Sequence, residues 1–297
     1  MELCIGTVQF GMDYGINGKK RTPVSECIAC FDYAIQNGIR AIDTAEAYGD
    51  AEEILGKYLR RKPIPRDKLF ISTKMLPNFL DNQDHSDYYP LIRKHLEGSL
   101  RRIGVDYVDA YLFHSSRYAF RPELLDALSR VKQDGLAGKV GVSVYYPEEA
   151  FACMENPNIS FIQAPYSILD HRMKESGVFD ASAENAVELH TRSAFLQGLV
   201  LMSPSEVPQY LQKAVPFIER INQICRDLQI SPVELAMLYV KCESAVSHLV
   251  FGVHSLAQLQ ENIRLFRGNL KKTERAAIEQ ALGHIDAEIV IPSLWKK

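Results

Sequence analysis

The chain has no uncharged apolar run approaching about 18 residues, so no segment reads as a bilayer-crossing helix. It also lacks a basic stretch leading into an apolar run and a small-residue cleavage site. The opening residues are Met1-Glu2-Leu3-Cys4-Ile5-Gly6, and a cytoplasmic location is expected from them. An excess of either charge is missing too. Lys+Arg number 34 against 37 Asp+Glu, a formal net charge of −3, which gives no broad attraction to phosphate backbones or anionic lipid; neither nucleic acid nor membrane is expected as a partner. GxGxxG and HExxH are both absent, which removes the local signatures of Rossmann dinucleotide binding and of zinc hydrolysis.

Cysteine is sparse: Cys4, Cys27, Cys30, Cys153, Cys225 and Cys242 are the six in 297 residues. Such scatter suits reduced thiols rather than a disulfide framework. Only Cys27 and Cys30 form a CxxC, inside the apolar pattern Cys27-Ile28-Ala29-Cys30-Phe31-Asp32-Tyr33-Ala34-Ile35. That pattern reads as one helix, and no second pair completes a zinc site, so both thiols are expected to be buried and inert.

What is present is a hydrophobic fraction of 46% with 24% charged residues, ample for a large core and unlike a disordered chain. Short apolar or β-branched runs alternate with longer amphipathic stretches, the pattern of βα units and a parallel sheet. Strands are predicted at Leu3–Thr7, Ala41–Asp43, Leu69–Thr73, Tyr107–Phe113, Lys139–Val144, Phe161–Ala164, Val187–Thr191 and His248–Phe251. Helices are predicted at Val24–Asn37, Asp50–Arg60, Tyr89–Ile103, Pro122–Asp134, Pro147–Met154, Val215–Leu228, Pro232–Lys241, Leu256–Phe266 and Lys272–Leu282. Eight strands exceed the five or six usual in an open doubly wound sheet and point to a closed (β/α)8 TIM barrel. No linker or composition break divides the chain, so residues 1–297 are expected to form a single domain. Loops are expected at Leu76–Asp87, Ser115–Arg121 and Gln197–Gln209, the last after the seventh strand and hence on the face where barrel enzymes carry their chemistry.

Asp43, Tyr48, Lys74 and His114 all fall at predicted strand ends or in the loops just beyond. Singly, each has an ordinary structural explanation: a turn or cap residue, a core tyrosine, a surface charge, a buried histidine. Jointly they fall where βα loops converge on one pocket, which structural residues have no reason to do. A Lys and an Asp at adjacent strand ends can pair, and a tyrosine near that Lys is expected to have its phenol pKa lowered and to act as an acid.

The motifs Asp43-Thr44-Ala45-Glu46-Ala47-Tyr48-Gly49, Ser72-Thr73-Lys74 and Leu112-Phe113-His114 resemble, in order and spacing, those of the aldo-keto reductase superfamily. The likeness continues through Gly141-Val142-Ser143, Gln163-Ala164-Pro165-Tyr166, Arg192-Ser193 and Gln258-Leu259-Gln260-Glu261-Asn262, nearly the whole chain. It implies reduction of an aldehyde or ketone to an alcohol by hydride transfer from NAD(P)H, without need of a metal. By the same resemblance Tyr48 protonates the developing alkoxide, Lys74 and Asp43 ease that transfer, and His114 orients the carbonyl. Ser143 and Gln163 are implied to hold the nicotinamide carboxamide, Thr7 to lie beside its ribose, Ser193 to contact the pyrophosphate, and Glu261 and Asn262 to reach the adenine.

Three positions depart from the family pattern. Val144 follows Ser143 where Asn is frequent. Arg192 replaces an aromatic ring that stacks on the nicotinamide, and as a planar cation it is expected to stack there or to bind cofactor phosphate or an anionic substrate. Gly252 and Gln258 stand where NADPH-selective relatives carry Lys or Arg. His254, Arg264 and Arg267 are the candidates to compensate, and NADP(H) is ranked ahead of NAD(H). A small carbonyl compound is the expected partner, either of broad range or a dedicated biosynthetic intermediate such as a keto-sugar. The competing class is a nucleotide-binding regulatory or assembly barrel with little turnover, as in the potassium-channel β subunits of this superfamily.

Overall fold

In the computed structural model the strands β1 (Glu2–Gly6), β2 (Ala41–Asp43), β3 (Phe70–Met75), β4 (Val108–Phe113), β5 (Ala137–Ser143), β6 (Phe161–Pro165), β7 (Glu188–Arg192) and β8 (His248–Gly252) form a closed barrel in sequence order. Every neighbouring pair is parallel, and β1 closes on β8 with Glu2 opposite His248 and Gly6 opposite Gly252. The structure describes residues 1–16, 18–83, 85 and 87–296. Positions 84 and 86 of the loop expected at Leu76–Asp87, and position 17 and the last residue of the expected 1–297 unit, lie outside these.

Parallel neighbours cannot be joined by a tight turn, so each strand is followed by a crossover that packs outside the barrel. The helices at Tyr89–Ile103, Pro147–Met154, Val215–Leu228, Pro232–Lys241 and Lys272–Leu282 have the bounds their sequence pattern predicts. Their ends follow local chemistry. Pro122, Pro147 and Pro232 open helices where the missing N–H costs nothing, the Ser231 and Ser255 hydroxyls accept from the backbone N–H of Glu234 and Gln258, and Gly104 ends Tyr89–Ile103 at φ 81°.

Some expectations are corrected. β3 runs two residues past its predicted end, so Lys74 lies within the strand, with Leu112 of β4 as its register partner. The segment expected as a loop at Gln197–Gln209 is largely 3-10 turns, Leu196–Leu201, Pro204–Glu206 and Gln209–Ala214. Between β6 and β7 the crossover holds two short helices, Arg172–Glu175 and Val178–Glu184, too short for their periodicity to register in the sequence.

The core lies between the barrel and its helices. Cys27 and Cys30 face it from Val24–Gln36, fully buried, and burial pushes both thiols up to about 12, which leaves them as protonated packing groups. All six cysteines are free thiols. None of the described helices is long and apolar enough to cross a membrane.

Candidate active site

Asp43, the last residue of β2, is the hub of the site. In β3 the side chains of Ser72 and Lys74 alternate to the same face, and both meet Asp43. Lys74 Nζ donates to Oδ1 at 2.8 Å and Oδ2 at 2.7 Å, and Ser72 Oγ to Oδ1 at 2.8 Å. From β6, 120 residues further along the chain, Gln163 Nε2 donates to the same Oδ1 at 2.8 Å. Lys74 places its third donor on the Thr44 carbonyl at 2.9 Å. Asp43 is 2% and Lys74 0% exposed, so this is a buried ion pair whose hydrogen-bonding capacity is almost fully used.

Tyr48 sits in the loop between β2 and the helix Ala51–Arg61, half-buried. Its backbone is held on both sides: its N–H donates to the Ala45 carbonyl at 3.0 Å, and its carbonyl accepts from Ala51 at 3.1 Å. The same carbonyl lies against Gly11, where a Cβ would stand 1.7 Å from it, so only glycine permits this approach. The Lys74 ammonium is 5.2 Å from the Tyr48 ring centre, and the His114 ring meets it edge to face at 5.6 Å. Burial and the Asp43 carboxylate push the Tyr48 phenol above its ordinary pKa, against the lowering expected from Lys74. The physical reason is that Asp43, paired with Lys74, offsets much of the ammonium's charge at the neutral phenol, so desolvation sets the direction.

His114 follows β4 directly. Burial, then the charges of Lys74 and Arg192, bring its pKa down to about 3, so the imidazole is neutral at ordinary pH. Its Nδ1 is buried without a hydrogen-bond partner. The ring therefore has only Nε2 to offer the cleft.

Asp43, Tyr48 and His114 line one cleft of about 530 Å³ at the C-terminal ends of the strands, together with Thr7, Gln163, Arg192, Ser193, Glu261 and Asn262. Two residues expected at the site stand behind its wall instead: Lys74, enclosed by its partners, and Ser143, whose hydroxyl accepts from Arg192 Nε at 3.3 Å. Arg192 is pinned flat. Its guanidinium also donates to the Ser193 hydroxyl at 3.2 Å and the Val144 carbonyl at 2.9 Å, and lies 4.4 Å over the Tyr145 ring. Ser193, Leu196 and Gln197, just after it, have φ of 69°, 46° and 55°. Strained non-glycine backbone gathered in one segment of the cleft wall marks a loop held there by its surroundings.

A nicotinamide nucleotide fits this lining. Gln163 Oε1 is buried with no partner, an acceptor in want of an amide N–H, while the amide end of the same side chain is fixed on Asp43. Toward Asn262 the expected compensating cations are not all present. Arg264 and Arg267 do not line the cleft, whereas Lys19 and His254 do. At Gly252 an added Cβ would stand 2.1 Å from Gln9 Oε1, so Gln9 fills the space a longer side chain would need. Gln258 turns its Oε1 back to accept from His254 N at 2.8 Å. Sequence reasoning missed Tyr14, Tyr145 and Lys19: Tyr14 and Lys19 bridge each other in the loop before Val24–Gln36, Tyr145 follows β5, and no local pattern distinguishes them from surface residues.

Comparison with known proteins agrees with this geometry. The family model for the Aldo/keto reductase family matches residues 2–282. The NADH-specific methylglyoxal reductase of Escherichia coli K12 is 25% identical over 285 residues, 86% of each chain. The L-glyceraldehyde 3-phosphate reductase of Escherichia coli O157:H7 is 26% identical over 298 residues, 89% of this chain and 84% of that one. Among solved structures, the holo form of an aldo-keto reductase from Bacillus halodurans superposes with a TM-score of 0.77 at 22% identity, covering 97% of this chain and 95% of that one. A match that runs from residue 2 to residue 282 takes in every strand of the barrel and every residue of the cleft, and by it the chain belongs to the aldo/keto reductase family and is an NAD(P)H-dependent oxidoreductase.

Proposed function

We propose that residues 1–297 act as one catalytic unit that reduces a small polar aldehyde or ketone, with Tyr48 as proton donor and His114, Lys74 and Asp43 in support. The observation that carries this reading is the stacking of a protonated phenol, a neutral imidazole and a buried ammonium–carboxylate pair around one point of the cleft. The bound nicotinamide cofactor supplies the hydride. Gln163 holds its carboxamide through the unpartnered Oε1, and Thr7, Ser193, Arg192, Glu261 and Asn262 line the rest of its path. Ser143 acts through Arg192, by fixing the guanidinium.

His114, neutral and with Nε2 toward the cleft, donates a hydrogen bond to the substrate carbonyl oxygen and fixes its position. As charge builds on that oxygen, the Tyr48 O–H bond breaks and the proton forms the alcohol. A phenol is a far stronger acid than an aliphatic alcohol, so the transfer runs downhill even with the Tyr48 pKa raised, and the raised value keeps the proton in place until it is needed. Lys74, 5.2 Å from the ring, stabilises the phenolate left behind until solvent restores the proton. Tyr14, Tyr145 and Arg192 give the mouth of the cleft hydroxyls and a cation, which suits an oxygenated substrate; the two relatives named above act on methylglyoxal and L-glyceraldehyde 3-phosphate, both short oxygenated aldehydes. NADP(H) is the preferred cofactor in this reading, with Lys19 as the cation for its 2′-phosphate and NAD(H) as the weaker alternative.

The test is single-turnover oxidation of bound NADPH by methylglyoxal, followed by absorbance, in the native chain and in Tyr48→Phe. Loss of the proton donor slows the step by about 10² to 10⁴-fold. Unchanged turnover in Tyr48→Phe removes Tyr48 as the acid, and tight cofactor binding without turnover in the native chain identifies a regulatory barrel.

A further inference from the structure

The N-terminal pole of the barrel, opposite the cleft, carries polar groups that the reduction does not use. Glu188 and His190 lie two residues apart on β7 and so project to the same side. His248 opens β8 and is the register partner of His190. A ligating atom of each of these three residues lies within 4.8 Å of those of the other two. Glu188 Oε1 is 2.8 Å from His190 Nε2 and 4.0 Å from His248 Nδ1. The His190 side chain is fully enclosed, its ring 4.5 Å from that of Phe161 and 5.1 Å from that of Phe70, centre to centre. Both imidazoles have a buried Nδ1 with no hydrogen-bond partner. The orphaned Nδ1 of His248 faces the Glu188 carboxylate at 4.0 Å, too far for a hydrogen bond, and a buried polar atom left so is costly unless something else satisfies it.

We propose that Glu188 Oε1, His190 Nε2 and His248 Nδ1 form a site for one zinc-like divalent cation that ties β7 to β8 at the barrel floor. Two imidazole nitrogens and one carboxylate oxygen are a donor set for Zn²⁺ and its neighbours, whereas Mg²⁺ and Ca²⁺ require oxygen throughout. Ligand bonds of about 2.0–2.2 Å at tetrahedral angles place ligand atoms roughly 3.4 Å apart. The 2.8 Å contact therefore opens, and the 4.0 Å contact closes, each by about half an ångström, which side-chain rotation provides. Ser247 Oγ, 3.3 Å from the same carboxylate oxygen, or a water takes the fourth position.

Two features prepare the site. Both imidazoles are withdrawn from bulk solvent, the His190 side chain wholly and that of His248 to 15% exposure, so water competes little for their nitrogens. Lys139 holds the other Glu188 oxygen and turns Oε1 toward the histidines, although its charge also opposes the cation and tempers affinity. The location gives the cation a task. β7 and β8 share only two register pairs, against five between β1 and β8, and a cross-link there reinforces the shortest ladder of the barrel. The site is structural, remote from hydride transfer.

The experiment uses the whole, tag-free chain stripped with a chelator and titrated with Co²⁺, whose visible d–d bands report tetrahedral coordination. One equivalent per chain is expected, with the bands bleached by Zn²⁺. Zn²⁺ at a hundredfold excess over its dissociation constant should raise Tm by about 5 °C, with kcat unaltered. His248→Gln and Glu188→Gln should each abolish the bands and the Tm rise while retaining reductase activity. No tetrahedral cobalt spectrum in the native chain overturns the proposal, whatever the variants do. So does an undiminished spectrum in either variant, which would place the cation elsewhere.

Discussion

The Lys74–Asp43 pair makes stability and chemistry separable. Lys74 is 0% exposed, with its three donors on Asp43 and the Thr44 carbonyl, and Asp43 is 2% exposed. Lys74→Met leaves a buried carboxylate supported only by Ser72 and Gln163, and Asp43→Asn leaves a buried ammonium without a counter-charge. Breaking a buried pair from one side costs about 3–5 kcal/mol. Were the two effects independent, the double variant would lose the sum, about 6–10 kcal/mol, enough to unfold a typical domain. Removing both charges together leaves no uncompensated ion, so the double variant should lose little more than one single variant, a coupling of about 3 kcal/mol. Urea unfolding of the four chains, with m-values shown to be equal, measures it. Activity should not follow stability: Lys74→Met and the double variant lose the cation beside Tyr48, and kcat stays depressed about 10²-fold or more in the double variant even where its fold is restored. Additive stability losses, with coupling below about 0.5 kcal/mol, refute the buried-pair argument. Recovery of kcat along with stability refutes a role for Lys74 at the phenol.

Acid should destabilise the metal-free chain earlier than carboxylate titration alone requires. His248 and His114 have folded pKa values of about 4 and about 3, below the unfolded value of about 6.5, so the unfolded chain takes up protons first and stability falls as pH drops from 6.5 through 4 and 3. Burial alone would raise Glu188, but hydrogen bonds from His190 and Lys139 hold it at about 2, so it contributes stability above its unfolded pKa and loses it as pH falls toward 2. Tm measured against pH should decline from pH 6.5, His248→Gln should flatten the upper part of that decline, and a flat profile between pH 6.5 and 4 would contradict the shifts. Arg192→Ala removes a guanidinium bound to Ser143, Ser193 and Val144, and should weaken cofactor binding about tenfold by fluorescence titration, the loss of one charge-assisted hydrogen bond; unchanged cofactor and substrate constants would remove Arg192 from the site. Lys19→Ala should raise KM for NADPH several-fold and leave that for NADH unaltered, and equal effects on both would exclude Lys19 as the 2′-phosphate contact.

Much of this molecule was legible in the order of its residues. Alternation of apolar runs with amphipathic stretches encodes the eight βα units, because a parallel strand buried on both faces must be apolar and its crossover helix must be apolar on one side only. Asp43, Tyr48 and His114 were readable as strand-end groups for the same reason, since a barrel gathers the C-terminal ends of its strands on one face. Only the tertiary structure decided the rest. Gln163 reaches Asp43 across 120 residues, Lys74 sits behind the cleft wall paired with Asp43, and Ser143 is covered by Arg192. The Tyr48 phenol is raised by burial despite the nearby lysine, because the Asp43 carboxylate paired with Lys74 pushes the other way. Tyr14 and Lys19 enter the cleft from one loop and Tyr145 from another more than a hundred residues on, and Glu188 meets His190 and His248 at the opposite pole. Periodicity is a property of neighbours along the chain, and it fixes which face of an element is buried; the contacts that set pKa, charge and ligand geometry are between residues distant in sequence, and they exist only once the barrel has closed.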